Sequence, residues 1–346
     1  LLVANSAAEV DAAVQQMDVF YFNYVFGDKD GVIGHRATGR VPVRRSGQGL
    51  YPKEVTGEDD WMGFIPPSEM PGQLGPAGGW VASANHDNRP DGYPYDYSSF
   101  FSPSYRYERI GQVLEAGNGM DVADQVRLMR DTHNLQVRHL KPAILDALQG
   151  VPEHADFVAI LTAWDNRDQA DQTAPLIYQA LYQQIAYETF IDELGAELAD
   201  AWLKNWYTWQ GRFDQLIATP ASAWFDDVRT PEVETLPDII RRAAAKVRED
   251  LTAKHGADPA KWRWGDAHRL QFDSPVRRSG FGRDWAGRAA QPYDGSGETV
   301  QRARYAFGES YDVQFFASLR LVADLADDEK LLAVVSGGVV ERQFHP

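Results

Sequence analysis

The sequence lacks cysteine, long apolar runs and an export leader. None of its 346 residues is a cysteine, so disulfides are excluded, but a core of this size needs none and the compartment stays open. No stretch approaches the roughly 18 apolar residues of a membrane span, which predicts no membrane partner. The chain starts without Met or a leader, and residues 1–4 resemble the interior of a helix. We therefore expect a fragment or a processed chain.

Basic residues are also scarce. The chain has 34 Lys and Arg against 50 Asp and Glu, for a net charge of −16. Because a nucleic-acid-binding protein needs a basic footprint, this balance predicts no nucleic-acid partner. The 44% hydrophobic and 12% aromatic content instead predicts a folded protein of one large domain or two ordinary ones.

The common catalytic signatures are missing as well. There is no G-x-S-x-G elbow, no Walker loop, no complete dinucleotide fingerprint and no H-E-x-x-H zinc motif. The eight His residues are scattered, which argues against a His-based zinc site. Without a resemblance to a known family, the residues indicate only an α+β domain with a polar, aromatic loop region.

Apolar periodicity divides the chain into three parts. Residues 18–34 alternate like a hairpin with its turn at 27–31, and residues 40–95 are a loop region rich in Pro, Gly and aromatics. Helical periodicity dominates residues 106–256, and short apolar runs at 269–272, 315–322 and 331–335 predict a return to strands. This order predicts an α+β fold with a large helical insertion: sheet and loop in 1–110, helices in 111–256, and sheet in 257–346.

Individual residues predict turns and helix ends. Asp28 opens a hairpin turn rather than a calcium loop, because no bidentate Glu follows at the required spacing. Asp121 predicts one helix start, and Thr235 with Asp238 three residues later predicts another. Pro142 predicts the first turn of a further helix.

One stretch carries a resemblance. Residues 79–90, Gly-Trp-Val-Ala-Ser-Ala-Asn-His-Asp-Asn-Arg-Pro, lead into Tyr-Pro-Tyr at 93–95 and an Arg-x-x-Arg-Ile helix start at 106–110. This order resembles the penicillin acylase (penicillin amidase) family, in which a strand ending in Ala-Asn precedes a Tyr-Pro step and such a helix. Five further segments resemble family segments in the same order, at 27–34, 61–71, 163–165, 262–268 and 318–325. Residues 337–340, Gly-Gly-Val-Val, depart from the Gly-Gln-Ser-Gly turn of the family.

The resemblance implies an N-terminal-nucleophile hydrolase that cleaves an amide bond in an acylated small molecule. It implies part of a four-layer αββα sandwich, completed by an upstream β segment and by the α subunit of the same self-processed precursor. The nucleophile is expected to be a Ser upstream of Leu1, whose own α-amino group acts as the base. Family substrates include β-lactam side-chain amides and N-acyl-homoserine lactones. A periplasmic or secreted location and no required cofactor are also implied.

Two residues are the leading candidates for catalysis. Asn85 matches the family Asn whose side-chain N–H donates to the oxyanion, a role that suits a neutral amide. Asn88 is the alternative, because the sequence departs here from the doubled Asn that is commoner in the family. Arg106 matches the family Arg that orients the Asn and the surroundings of the α-amine. The structural interpretations are a loop-capping Asn and an Arg paired with a carboxylate such as Glu108 or Asp96.

Three further residues are weaker candidates by resemblance. His86 and Tyr93 are predicted to line the mouth of the site and bind substrate, although core packing is the competing interpretation for the aromatic residue. Asp96 is predicted to contribute to the structural calcium site that some members carry, with the carbonyl of Gly39. Ser99 stands where the resemblance predicts an aspartate, so calcium is possible rather than required.

Two other functions remain open from the residues. The chain fits a catalytically inactive relative that serves as a binding or assembly domain. It also fits a carbohydrate-binding or glycoside-cleaving protein, for which Glu69 is the acidic loop residue to test.

Overall fold

The structure is a computed structural model that describes residues 1–45, 49–52, 57, 61–117, 119–272, 280, 289–327 and 329–336, with the backbone alone at 206 and 207. Contacts divide them into two compact units. The first is Leu1–Asp124 with Ala323–Leu331, and the second is Gln125–Val322 with residues 332–336. Residues 337–340, which depart from the family pattern in sequence, lie outside the described residues.

The first unit is built mainly of short antiparallel strands. Its elements are α1 (Ala7–Val14), β1 (Asn23–Gly27), β2 (Ile33–Ala37), β3 (Pro42–Arg44), β4 (Trp61–Phe64), β5 (Gly72–Leu74), α2 (Tyr105–Ala116) and the start of α3 (Val122–Met129). Strands β1, β2 and β5 form one sheet, and β3 pairs with β4. The predicted loop region at 40–95 therefore also contains strands, because aromatic residues such as Trp61 and Phe64 favour pairing between the glycine-rich turns.

The predicted hairpin turn is confirmed. Asp28 Oδ1 accepts the backbone N–H groups of Asp30 and Val32, each over 3.0 Å, so its carboxylate closes the turn between β1 and β2. Asp28 Oδ2 accepts the N–H of Ala7 over 2.9 Å, and this bond is the leading cause that lowers the pKa of Asp28. The turn thus also anchors the start of α1.

The predicted helix at residues 1–4 is wrong. Helix α1 begins only at Ala7, because the Ser6 hydroxyl accepts the backbone N–H of Glu9 over 3.2 Å. Glu9 Oε2 in turn accepts the N–H of Asn5 over 2.8 Å. This reciprocal capping fixes the start of the helix after the first residues.

The second unit is mainly helical, as the periodicity predicts. Its helices are α4 (Val137–Leu148), α5 (Ala155–Ala163), α6 (Ala174–Leu203), α7 (Trp206–Ile217), α8 (Leu236–His255) and α9 (Trp264–Ala267). Helix α6 is interrupted at Gly195, where φ is 71°. Tyr178, Leu181 and Ile185 of α6 are buried in the core of this unit. None of the helices in the described part of the chain is long and apolar enough to cross a membrane.

Short strands follow the helices, also as predicted. They are β6 (Arg269–Leu270), β7 (Gln291–Pro292), β8 (Ala303–Arg304), β9 (Phe315–Phe316), β10 (Leu319–Ala323) and β11 (Leu331–Val335). They pair as β6–β7, β8–β9 and β10–β11. The chain is therefore an α+β structure of helices and small sheets.

Two of the predicted helix starts are confirmed and one is wrong. Thr235 and Asp238 form a capping box at α8, and Asp121 accepts the N–H of Asp124 over 2.8 Å at α3. Pro142 lies inside α4 instead of opening it. Burial of Val137 and other apolar residues in the turn before Pro142 outweighs the hydrogen bond that a proline cannot make.

Candidate active site

The site is organised around an arginine that holds an asparagine. Arg106, in the first turn of α2, donates from Nη2 to the Asn85 side-chain oxygen over 3.0 Å and to the Ala84 carbonyl over 2.7 Å. Arg106 is only 8% exposed, whereas Asn85 is exposed. Because a guanidinium only donates, the oxygen must be the amide branch that faces it, and the N–H donors are on the other branch.

The backbone of Asn85 is held in an unusual conformation. Its φ is 63°, in the left-handed region where Asn is one of the few tolerated side chains. Its carbonyl accepts the backbone N–H of Ser102 over 2.7 Å. The loop therefore turns sharply at Asn85 and leaves its side chain exposed. The bonds with Arg106 and with the N–H of Ser102 hold the residue in place.

Aromatic rings support the next residue of the loop. His86 stacks on Tyr107 of α2 with 3.7 Å between ring centroids, and the Trp80 ring lies tilted to Tyr107 with 5.7 Å between centroids. Gly111 leaves room for Trp80, since a Cβ there would lie 3.1 Å from the indole. Burial is the leading cause that lowers the pKa of His86 to about 4. His86 is thus a neutral, half-buried ring above that pH.

Tyr93 contacts other residues than Asn85, Arg106 and His86 in the described part of the chain. Its hydroxyl donates to the Glu69 carbonyl over 2.9 Å, and its ring lies edge-on to Tyr95. The Tyr95 hydroxyl donates to Glu69 Oε2 over 2.6 Å. The structure therefore brings Asn85, Arg106 and His86 together, while Tyr93 joins Tyr95 and Glu69.

Asp96 is exposed and adds to the acidic surroundings of Arg89. The pKa of Arg89 is raised first by its hydrogen bond with Asp87 and to a smaller extent by Asp96. Within the described ranges, no group of three or more His, Asp or Glu side chains has a geometry that could hold a metal ion. The calcium site thus stays a prediction.

A cavity of about 410 Å³ in the first unit is distinct from these residues. It is lined by residues at or just after the ends of α1, β2 and β4, among them Met17, Gly39 and Phe64. The candidate residues of the loop do not line it, although Gly39 is the residue whose carbonyl the resemblance suggests for calcium. The candidate site is therefore identified by the hydrogen bonds between Arg106 and the Asn85 loop, and not by the position of this cavity.

Sequence reasoning missed three residues around the loop that carries Asn85: Tyr107 and Asn23, which contact it, and His35, which contacts Asn23. Tyr107 lies within the Arg-x-x-Arg stretch, directly after Arg106, so the sequence could have identified it as a neighbour of the site. Asn23 and His35, on β1 and β2, carry no local signal. Asn88 donates to Asn23 over 2.7 Å, a contact between residues 65 positions apart that only the folded chain reveals.

Comparison with known proteins places the chain in a family. The sequence profile of the penicillin amidase family matches residues 1–346. The chain is 30% identical to an acyl-homoserine lactone acylase QuiP of Pseudomonas putida, over 96% of this chain and 42% of that protein. It is 29% identical to a penicillin acylase 2 proenzyme of Pseudomonas sp., over 86% of this chain and 38% of that protein. The chain thus spans less than half the length of these relatives.

A solved structure has a similar fold. The thermostable penicillin G acylase from Alcaligenes faecalis aligns with a TM-score of 0.57 at 19% identity, covering 75% of this chain and 51% of that one. This likeness concerns the fold alone. The family expected from residues 79–110 is confirmed by the profile match. The chain therefore belongs to the penicillin amidase family.

Proposed function

We propose that this chain is the central and C-terminal part of the catalytic β subunit of an amide hydrolase that acts on acylated small molecules. The observation that carries the proposal is the bond from Arg106 to the Asn85 side-chain oxygen over 3.0 Å. It fixes which branch of the amide carries the donors. A neutral donor on an exposed, rigidly held loop suits the stabilisation of an oxyanion.

The proposed reaction uses a nucleophile from outside these residues. The hydroxyl of an N-terminal Ser, supplied by an upstream β segment, attacks the amide carbon, and its α-amino group accepts the proton. The carbonyl oxygen becomes an oxyanion, to which the Asn85 N–H donates. The C–N bond then breaks, the proton passes to the leaving amine, and water hydrolyses the acyl-enzyme ester to the free acid.

Arg106 has a positioning role in this reaction. Its guanidinium contacts Asn85 and the carbonyl of Ala84, so it orients both the side chain and the backbone of the donor. Two planar N–H donors from one group suit such a role better than a single ammonium. We assign no proton transfer to Arg106.

The proposed substrates are N-acyl-homoserine lactones or β-lactam side-chain amides. Support comes from the names of the relatives, an acyl-homoserine lactone acylase and a penicillin acylase. His86, as a neutral ring next to Asn85, is proposed to contact the substrate, and Tyr93 is proposed to line the mouth of the site. No cofactor is required in this mechanism, and Asp96 is retained as a ligand for an optional structural calcium.

The partners and location are also proposals. The upstream β segment and the α subunit would come from one precursor, which the word proenzyme in the name of one relative supports. Together with this chain they would complete a four-layer αββα sandwich. The resemblance favours a periplasmic or secreted protein.

The test uses the complete gene product. Intact-mass measurement with N-terminal sequencing identifies its chains, and turnover is measured with N-decanoyl-homoserine lactone and phenylacetyl 4-nitroanilide. Asn85→Ala is expected to lower kcat by at least about 100-fold, in line with the loss of one oxyanion donor. Asn166→Ala is the matched control, because Asn166 also has a positive φ of 62° and a side-chain oxygen that accepts from a cation, Lys141.

The outcomes separate the catalytic proposal from its alternative. Two chains, the larger starting at Ser and containing these residues, with activity lost only in Asn85→Ala, would support the hydrolase. Equal activity of Asn85→Ala and Asn166→Ala would refute the role of Asn85. A single chain without turnover of either probe would favour an inactive scaffold relative.

A further inference from the structure

The loop that carries Asn85 is attached on a second side. Asn88 Nδ2 donates to Asn23 Oδ1 over 2.7 Å. Asn23 is the first residue of β1, and β1 is paired along its length with β2. The loop is therefore joined to the sheet by one side-chain bond and to α2 by the contacts of Arg106.

The acceptor in this bond is itself held in place. His35 on β2 approaches the same Asn23 oxygen with its Nε2 at 2.9 Å. Because that oxygen can only accept, His35 carries its proton on Nε2 and donates it. His35 is 5% exposed, and burial followed by the charge of Arg36 lowers its pKa, which favours the neutral ring. Two donors on one oxygen thus fix the orientation of the Asn23 amide.

We propose that Asn23 and Asn88 act as a positioning pair that sets the direction of the Asn85 donor, with His35 orienting Asn23. The inference rests on the proposed function of Asn85. Oxyanion donors act only when they are held within about 0.5 Å of the productive geometry. Arg106 holds the start of the loop and Asn23 holds it three residues later, so the turn between them is fixed at both ends.

The geometry also separates the roles of the two loop asparagines. The Asn85 oxygen is held by Arg106, so its donors are on the other branch. A donor of Asn88 is directed at Asn23 and hence at the sheet. This assigns Asn88 to positioning and leaves the oxyanion role with Asn85.

The experiment is a double-mutant cycle in the complete, processed protein. Asn23→Ala and Asn88→Ala are each expected to lower kcat by about tenfold with KM within about twofold, because a displaced donor weakens the transition state more than substrate binding. The double variant is expected to be no slower than either single variant, since both remove the same bond. Asn23→Asp keeps an acceptor oxygen for both donors and is expected to retain kcat within about threefold.

Two controls accompany the cycle. Asn5→Ala, an exposed position in the same unit, is expected to leave kcat and KM unchanged. Asn88→Asp places a carboxylate against the Asn23 oxygen, and repulsion between the two acceptors is expected to make it at least as slow as Asn88→Ala. The probes are again N-decanoyl-homoserine lactone and phenylacetyl 4-nitroanilide.

Each possible failure has a distinct pattern. If Asn23→Ala and Asn88→Ala keep kcat within twofold while Asn85→Ala loses it, the positioning pair is wrong and the proposed function stands. If Asn88→Ala is as slow as Asn85→Ala while Asn23→Ala keeps the kcat of the wild type, Asn88 itself is an oxyanion donor. The proposal of a positioning pair is then also wrong. If Asn85→Ala is fully active, the proposed function fails. Should Asn23→Ala not fold, Asn23→Asp and Asn88→Asp decide the question by the same comparison.

Discussion

Arg106 donates to the side-chain oxygen of Asn85 over 3.0 Å, from a position that is almost completely buried. The bond connects the first turn of α2 to an exposed loop 21 residues earlier. Because the arginine determines which branch of the amide faces outward, the chemistry of Asn85 depends on a residue that need not touch the substrate. A charge-assisted bond of this kind is worth about 1.5–3 kcal/mol.

Replacing Arg106 is therefore expected to damage catalysis without touching the donor. Arg106→Lys is expected to lower kcat by about 100-fold with little change in KM, because the shorter lysine side chain with its tetrahedral ammonium cannot reproduce the position and direction of the Nη2 donors that hold the Asn85 oxygen and the Ala84 carbonyl. The measurement is steady-state kinetics on the complete protein. Arg109→Lys, one turn further along α2, is the control and is expected to stay within about threefold. Equal losses of kcat in Arg106→Lys and Arg109→Lys would contradict the positioning role of Arg106.

Local sequence predicted much of the fold, and long-range packing accounts for the error at Pro142. The turn at Asp28 and the cap at Thr235 depend on residues a few positions away, so they are readable from the sequence. The position of Pro142 was mispredicted, because α4 starts earlier to bury Val137 against residues distant in sequence. The rule that proline favours the first turn of a helix considers only neighbouring residues, so it cannot predict the free energy gained by packing.

The candidate site was predictable only in part, and for a related reason. Asn85 and Arg106 were identified from a resemblance that places them in one short stretch, and the structure brings them into contact. Asn23 was not identified, because its contact with Asn88 depends on where β1 lies in the folded unit. No spacing rule connects residues 65 positions apart in different elements.

The backbone conformation of Asn85 allows function to be separated from stability. Asn85→Gly fits the positive φ without strain but removes the amide. The relief of strain is worth about 1 kcal/mol and the lost bond to Arg106 about 1.5–3 kcal/mol, so the net loss of up to about 2 kcal/mol is expected to lower the melting temperature by no more than about 8 °C. The expected kcat is at least about 100-fold lower.

The matched control for this change is Asn166→Gly. Asn166 has a φ of 62°, and its carbonyl accepts the backbone N–H of Asn134 over 2.9 Å, much as that of Asn85 accepts from Ser102. The two variants are expected to have similar melting temperatures, while only Asn85→Gly loses turnover. A large loss of stability in Asn85→Gly alone would mean that the asparagine is retained for folding.

His268 is expected to make the second unit sensitive to acid. Its side chain is fully buried, stacks on Trp264 at 4.3 Å and donates from Nδ1 to the Tyr311 carbonyl over 2.6 Å. Burial lowers the pKa of His268 to about 4. Between that value and about 6.5, the unfolded chain binds a proton that the folded chain refuses, so stability is complete above about pH 6.5 and falls below it.

The measurement is the free energy of unfolding as a function of pH, compared between the wild type and His268→Asn. The wild type is expected to lose about 1.4 kcal/mol per pH unit more than the variant between about pH 6 and pH 4.5. His255→Asn is the control, because His255 is only half-buried and is expected to alter this dependence less. Parallel curves for wild type and His268→Asn would show that the folded and unfolded chains bind this proton equally well, so that burial does not lower the pKa of His268.

Asp168 is expected to change the pH dependence of stability in the direction opposite to that of His268. It is fully buried, and its Oδ2 accepts from Asn134 over 2.9 Å, yet burial raises the pKa of this carboxyl to about 7. Between about pH 4 and pH 7 the folded chain therefore retains a proton that the unfolded chain has released. The contribution of Asp168 to stability is complete below about pH 4 and is lost as the pH rises to about 7.

Asp168→Asn tests this sign directly, because asparagine keeps an acceptor for Asn134 and cannot ionise. The stability of the variant relative to the wild type is expected to increase from pH 4 to pH 7 and then level off. Asp227→Asn provides the contrast: the bond from Arg229 lowers the pKa of Asp227, so that variant is expected to lose stability relative to the wild type as the pH rises from strong acid to about 4 and to level off above that value. If both variants shift stability in the same direction, burial does not govern the ionisation of Asp168, and the carboxylate is charged in the folded protein.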